Sequence, residues 1–212
     1  MMRLRTLLSC SLSIVLALSG CTCGPQSSGA PLERGETTTT TPTAPEGEAA
    51  AAEGPTFEEA AGGLAWHAEE PLVSRRPSSS MRAAEYVVRD SPESELTVFY
   101  FGRDQGGGVD ENIDRWVGQF EQPDGRASRD AAQIERIEVQ GMPVTTVEVS
   151  GAFAGMRGMG GGGEARPGYR MLGAIAEGPE GMVFFKLTGP AEAVDSAETA
   201  FRGLVQSLHP TG

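Results

Sequence analysis

The chain has few of the residues that most often perform chemistry or bind metals. Its 212 residues include one lysine, Lys186, with two histidines and three cysteines, and 6% of them are aromatic. Seventeen basic side chains stand against 29 acidic ones, which gives a formal net charge of −12. Nucleic-acid binding depends on clustered Lys and Arg that neutralise phosphates, so this composition excludes that class of partner. Few soft metal ligands are present, and we expect no cofactor.

The first residues have the three parts of a secretory signal. Arg3 and Arg5 precede the apolar stretch Leu7–Leu18, and small residues follow it. The stretch is shorter than the roughly 20 apolar residues that a membrane-spanning helix needs. We therefore predict a signal peptide over residues 1–20 rather than a transmembrane anchor.

The sequence Leu18-Ser19-Gly20-Cys21 resembles the lipobox of bacterial lipoproteins. The resemblance implies cleavage between Gly20 and Cys21, acylation of the Cys21 thiol by a chain such as palmitate, and acylation of the new amine. Two or more acyl chains give a stable anchor, whereas one gives only marginal binding. Thr22 follows, where the family's inner-membrane members carry Asp. The resemblance thus implies a lipoprotein of the outer membrane, facing the periplasm, if the source is Gram-negative.

Residues 21–56 are predicted to form a disordered tether. They are rich in Thr, Ala, Pro and Glu, and Leu32 is their only large aliphatic residue, so they cannot bury enough apolar surface to fold. Cys23 is the thiol that remains once Cys10 leaves with the signal and Cys21 is acylated. An intramolecular disulfide is therefore excluded. Cys23 is then a bystander, a second acylation site or a link between chains.

Residues 57–212 have the length of one domain, which we predict to be of the α+β class. The apolar residues of Glu95–Gly102 occupy both faces of a strand, which places it in the middle of a covered sheet. We expect an antiparallel sheet of about six to seven strands covered by helices. Strands are predicted at 64–68, 81–89, 95–102, 134–140, 144–153, 169–176 and 182–187, a loop at 69–80, and amphipathic helices at 109–120 and 190–208.

This order of elements, with Gly189-Pro190 leading into the last helix after a Phe-rich strand, resembles the PsbP-like α-β-α sandwich. That family includes accessory proteins of photosystem II and many small bacterial lipoproteins. The resemblance implies an assembly or accessory role and no enzymatic activity. No short motif carries it, so no functional residue is transferred to this chain.

A glycine-rich loop carries the residues that we predict to contact a partner. Gly158–Gly163 satisfies the dinucleotide pattern G-x-G-x-x-G, but Glu164–Gly168 cannot open the helix that this fingerprint needs. A loop between two strands fits the sequence better. Flexible methionines beside cations suit an adaptable partner surface, here Met156, Arg157, Met159 and Arg166.

The other polar candidates are predicted to be structural. For His67 to act as a general base, the chain would need a nucleophile and an acid that orients the ring, and the sequence shows no recognisable motif for either. Gly106–Gly108 precedes a helix with an acidic first turn, and it lacks both the phosphate-binding and the EF-hand pattern. Glu148 and Lys186 stand inside apolar strands, where we expect each to face solvent or to pair across the sheet. Trp116 and Phe120 are expected in the core.

We therefore predict a non-catalytic, lipid-anchored envelope protein whose domain docks onto another envelope protein. The alternative is a periplasmic module that binds a small ligand or a cation, and it requires an apolar pocket with convergent polar groups. An enzyme would require a cleft that gathers His67 or a pair of carboxylates with shifted pKa values.

Overall fold

A computed structural model describes residues 58–155 and 164–212 of the chain. The predicted signal peptide and tether, with Gly20 and Cys21, lie outside these ranges, as do Met156, Arg157 and Met159 of the predicted partner surface. The strands are β1 (Glu58–Ala61), β2 (Leu64–His67), β3 (Leu72–Arg75), β4 (Arg82–Val88), β5 (Ser91–Tyr100), β6 (Phe120–Glu121), β7 (Gln133–Val139), β8 (Met142–Phe153), β9 (Arg166–Gly178), β10 (Gly181–Pro190) and β11 (His209–Pro210). The helices are α1 (Val109–Val117), α2 (Ser128–Ala131) and α3 (Ala191–Gln206).

The described domain is α+β and mainly antiparallel. Its main sheet has the order β3-β4-β5-β10-β9-β8-β6, and β7 also pairs with β8; a second sheet has the order β1-β2-β11. Within the described residues the main sheet thus has eight strands rather than six or seven. The predicted loop at 69–80 contains β3, and the end of the predicted first helix is β6. Strand β6 has only two residues, and β3 has four between Pro71 and Pro77, whose neighbourhood favours a loop.

One face of the main sheet is closed by α3 and the second sheet. Strand β10 turns Val183, Phe185 and Leu187 toward this side, and all three are fully buried. The ring of Trp66 on β2 meets Phe185 edge-on at 5.1 Å, and its Nε1 donates a hydrogen bond of 2.7 Å to the hydroxyl of Tyr86. The predicted apolar stripe of α3 is buried here, as expected: Val194, Ala197, Phe201, Leu204, Val205 and, just beyond the helix, Leu208.

Ion pairs fasten α3 to the sheet at Arg170 of β9. Its guanidinium contacts Glu148 of β8 at 2.6 Å, Glu198 of α3 at 2.7 Å, and Asp195 of α3. The side chain of Arg170 is 11% exposed, so the bonds are partly shielded from water. The expectation that Glu148 pairs across the sheet is confirmed.

The opposite face carries α1, which is much shorter. It has 9 residues against 16 in α3, and it buries Ile113, Trp116 and Val117 against Phe184 and its neighbours. The expected core positions of Trp116 and Phe120 are confirmed, because they are 5% and 4% exposed. No helix in the described part of the chain has the length and apolar character needed to cross a membrane.

Candidate functional site

A groove of about 690 Å³ lies on the sheet face beside α1. Strands β4, β5, β8, β9 and β10 contribute to it, together with α1 and the Gly106–Gly107 segment. Small-molecule sites in proteins have volumes of roughly 300–1,000 Å³, so the groove is large enough for an organic ligand.

Aromatic rings form much of the groove's walls. On one side Phe99 and Phe101 stack at 5.9 Å with an angle of 11° between their planes. On the other side Phe153 and Tyr169 stack at 5.7 Å and 12°. All four rings line the groove. Such walls favour a flat, apolar ligand body, because aromatic pairs add stacking energy to area burial.

Two glycines let the walls come close to the backbone. Gly173 on β9 lies under the ring of Trp116, and a Cβ atom there would be 2.7 Å from that ring. Gly106 has φ +92°, and a Cβ atom there would be 2.7 Å from the ring of Phe101. A larger residue at either position would have to displace an aromatic ring of the groove.

Lys186 lines the groove. It stands on β10 between Thr97 of β5 and Gly173 of β9, and its ammonium donates a hydrogen bond to Oε1 of Gln119, just after α1. Within residues 58–155 and 164–212 no carboxylate forms an ion pair with it. Lys186 was expected to face solvent or to pair across the sheet. Its side chain is half-buried in the groove lining, and its hydrogen bond goes to Gln119 just after α1 rather than to a neighbouring strand.

The surroundings of Lys186 disfavour its positive charge. The pKa of the ammonium is lowered to about 8, mainly by removal from water and secondly by the charge of Arg115, while Glu95 acts in the opposite direction. The ring of Phe153 lies 5.9 Å from Nζ. The Lys186 ammonium is thus a cation in partly apolar surroundings, and the guanidinium of Arg115 is a second cation close to it.

Arg115 is held at the groove by Asn112. The guanidinium of Arg115 donates to Oδ1 of Asn112, which is 1% exposed. The amide nitrogen of Asn112 donates to the carbonyl oxygens of Gly106 and Gly108, each at 2.8 Å. Asn112 therefore links the glycine segment to α1 and orients Arg115, which has no carboxylate partner among the described residues.

Arg166 lies over the aromatic wall formed by strands β8 and β9. Its guanidinium carbon is 4.5 Å from the centre of the Tyr169 ring and 5.2 Å from that of Phe153. No described carboxylate pairs with it, and a cation over an aromatic face gains a modest electrostatic attraction. Of the predicted partner surface, Arg166 is the member that the structure describes, and it lines the groove.

The end of the groove at β4 and β5 has balanced charge. Arg82 contacts the carboxylate of Glu85 at 2.5 Å and that of Glu95 at 3.0 Å, and Arg75 reaches both acids. Glu85 is fully buried and also accepts hydrogen bonds from the amide and hydroxyl of Ser78, at 3.0 and 2.8 Å. In this network both arginines are already paired with carboxylates, so they are not available to a ligand.

One buried hydroxyl in the groove lacks a partner. The Oγ1 atom of Thr188, two residues after Lys186 and on the same face, is shielded from solvent and has no hydrogen bond to the described residues. A buried hydroxyl without a partner costs about 1–3 kcal/mol, so a ligand atom that bonds to it would be stabilised.

The other sequence candidates lie away from this arrangement or act structurally. His67 is 37% exposed and lies 3.8 Å from Glu69, outside the groove. In the acidic first turn of α1, Glu111 accepts a bond of 3.0 Å from the amide of Gly108, and Asp110 pairs with Arg129. Within the described ranges no three His, Cys, Asp or Glu side chains are grouped as a metal site requires.

Sequence reasoning missed the groove, although one signal pointed to it. In Phe184-Phe185-Lys186-Leu187 every neighbour of the lysine is apolar, and Lys186 shares its strand face with Phe184. A lysine on a covered face needs a partner or a ligand. Gln119, Arg115 and Arg166 are distant in sequence, and only the antiparallel pairing brings them together.

Comparison with known proteins adds two structural likenesses. The chain is similar to the solution structure of PsbP from the cyanobacterium Synechocystis, with 11% identity, a TM-score of 0.47 and coverage of 79% of this chain and 100% of that one. It is also similar to a Pseudomonas aeruginosa protein of unknown function, described as a candidate regulator, with 12% identity, a TM-score of 0.40 and coverage of 66% and 98%. No protein-family model and no curated protein matches the chain. With TM-scores below 0.5, neither likeness establishes a family or a function.

Proposed function

We propose that the described domain is a non-catalytic binding domain, that the groove beside α1 is its binding site, and that a lipid anchor holds it at the cell envelope. The observation that carries the binding role is the groove itself, about 690 Å³ in volume, with aromatic walls and a lysine in its lining. An apolar pocket with a few convergent polar groups is the usual form of a small-molecule site.

The residues of the groove support binding over catalysis. Its described lining includes no histidine, cysteine or serine. Its carboxylates are Glu93 and Glu95, and the second is held by Arg75 and Arg82. A hydroxyl nucleophile needs a base within hydrogen-bond reach. In this lining the hydroxyl of Thr97 donates instead to the backbone oxygen of Lys186, and that of Thr188 has no partner among the described residues.

The two tryptophans allow a direct test of where a ligand binds. Trp116 lines the groove, whereas Trp66 is buried beneath the opposite face. In protein labelled with 5-fluorotryptophan, a neutral aromatic compound such as naphthalene-2-carboxamide should shift the ¹⁹F resonance of Trp116 in a saturable manner and leave that of Trp66 unchanged. The variant Trp116→Phe assigns the signals. Equal shifts of both resonances, or none, would contradict the proposed site.

The anchor is tested separately by replacing Cys21. With wild-type Cys21 we expect the protein in the membrane fraction, because several acyl chains bind stably to a bilayer. The variant Cys21→Ser should leave the chain unacylated and move it to the soluble fraction. Membrane association that survives this substitution would refute the lipid anchor, and Cys23→Ser is the matched control, expected to stay with the membrane.

Docking onto another envelope protein is the second candidate function. Met81 and Phe101 are 63% and 38% exposed, and both lie at the groove, where a partner would cover them. A photo-reactive amino acid at position 81 should then give a single crosslinked product in intact cells. The same probe at exposed position 134 is the control, because Ile134 lies outside the groove. Equal crosslinking from both positions would argue against a specific partner.

A further inference from the structure

We propose that the groove binds an organic anion with a flat apolar body, whose charged group is held by Lys186 and Arg115. This inference rests on the proposed binding function of the groove and adds the class of ligand. It follows from the charges of the lining residues, from the state of Lys186 and from the shape of the walls.

The groove is locally positive in an acidic chain. Its lining has the cations Arg82, Arg115, Arg166 and Lys186 and the carboxylates Glu93 and Glu95, whereas the whole chain has a net charge of −12. Arg82 is already paired with Glu85 and Glu95. Three cations therefore remain that no described carboxylate neutralises, and a concave positive surface concentrates anions.

An anion would relieve an unfavourable arrangement at Lys186. The ammonium is partly withdrawn from water, and the charge of Arg115 acts against it, so its pKa falls to about 8. A bound carboxylate or phosphate would supply the missing opposite charge at both side chains. Among the described residues neither of these two like charges has a carboxylate partner, which is the arrangement expected of an anion site.

Hydrogen-bond donors are also available for such a group. A lysine ammonium has three donors, and Gln119 accepts one of them. An arginine guanidinium has five, and Asn112 accepts one from Arg115. Asn112 is itself fixed by two bonds to backbone carbonyls, so Arg115 is positioned before any ligand arrives. The hydroxyl of Thr188 adds a third polar group on the same floor.

The walls select the rest of the ligand. The stacked pairs Phe99–Phe101 and Phe153–Tyr169 border the groove at two sides, and the strand that carries Lys186 runs between theirs in the sheet. An inorganic anion would leave these rings uncovered. A planar apolar body of one or two rings would cover them.

A matched pair of compounds tests the proposal on the full chain. Naphthalene-2-carboxylate and naphthalene-2-carboxamide share a body and differ in charge. By the ¹⁹F resonance of Trp116, we expect the carboxylate to bind about tenfold more tightly, a difference typical of one charge-assisted contact. Arg115→Gln and Lys186→Met should each remove most of this preference, measured as the ratio of the two affinities within the same variant, so that a loss shared by both compounds cancels.

The control variant is Arg136→Gln, which removes a cation outside the groove and should alter neither affinity. Equal affinities for the two compounds would overturn the anion proposal and leave the binding function intact. Failure of both compounds to shift Trp116 would instead refute the binding function. A loss of preference in Arg136→Gln equal to that in Arg115→Gln would also overturn the proposal, because the effect would then be that of overall charge.

Discussion

The two faces of the main sheet differ although they share the same strands. Along β10, Val183, Phe185 and Leu187 point to the α3 face and are fully buried, while Phe184 and Lys186 point to the α1 face. A long helix and a second sheet close the first face, whereas a helix of 9 residues covers only part of the second. Alternation along a strand thus gives the two faces different surroundings. The α3 face is closed by packing, and the α1 face, beside its own smaller core cluster, carries the groove that we propose as a binding site.

Removing one aromatic ring from each face should show the difference between the two faces most strongly. Phe185→Ala opens a cavity beneath Trp66 on the closed face and should lower the free energy of unfolding by about 3–5 kcal/mol. Phe101→Ala, at the groove and 38% exposed, should lower it by about 1 kcal/mol or less. Urea unfolding measures both, and equal losses would mean that the groove wall is as much a part of the core as the α3 side.

Glu85 is the exception on the open face, because there it acts as a structural residue. Glu85→Gln should destabilise the fold by about 2–3 kcal/mol, since Arg75 and Arg82 lose a buried counter-charge. Glu93→Gln, at an exposed carboxyl of the same groove, should have little effect. Similar losses in the two variants would contradict the structural role of Glu85.

Acid should weaken the fold through the same residue. Burial alone would raise the pKa of the Glu85 carboxyl, but bonds from Ser78, Arg82 and Arg75 outweigh it and lower the pKa to about 2. A lowered carboxyl pKa stabilises the fold above the ordinary value of 4.5, and this contribution disappears as the pH falls toward 2. Unfolding measured over that range should show a smaller slope in Glu85→Gln than in wild type; identical slopes would exclude this carboxyl as the source.

The smallest expected effect is on binding in mild alkali. Naphthalene-2-carboxylate should bind several-fold more weakly as the pH rises above about 8, because Lys186 loses its charge there. The other charged groups that face it are Arg115, Arg82 and Glu95, and the variant Lys186→Met separates the contribution of Lys186 from theirs. In Lys186→Met the affinity should not vary with pH, and a persisting decline would assign the effect elsewhere.

Local patterns were sufficient for the larger elements of the fold. The stripe from Val194 to Leu208 indicated α3, and the two-sided apolar pattern of β5 indicated a strand covered on both faces. Strands β1, β3, β6 and β11 were missed, because runs of two to four residues carry little periodicity. Strand β2 is equally short, but β3 also lies among Pro71, Pro77 and Ser78–Ser80, which favour a loop. The site was harder to predict than the fold, because Lys186 and its hydrogen-bond partner Gln119 are 67 residues apart in the sequence. Such pairings depend on strand order, which no local pattern fixes.

Titration of Lys186 tests the central claim most directly, because it is the only lysine in the chain. Reductive methylation with ¹³C-formaldehyde gives this side chain a resonance that Lys186→Met identifies by its absence. We predict a pKa of about 8 in the free protein, and an increase when naphthalene-2-carboxylate is added, since an anion stabilises the charged ammonium. A pKa near the ordinary value of 10.5 that does not change with the ligand would contradict an anion site built around Lys186.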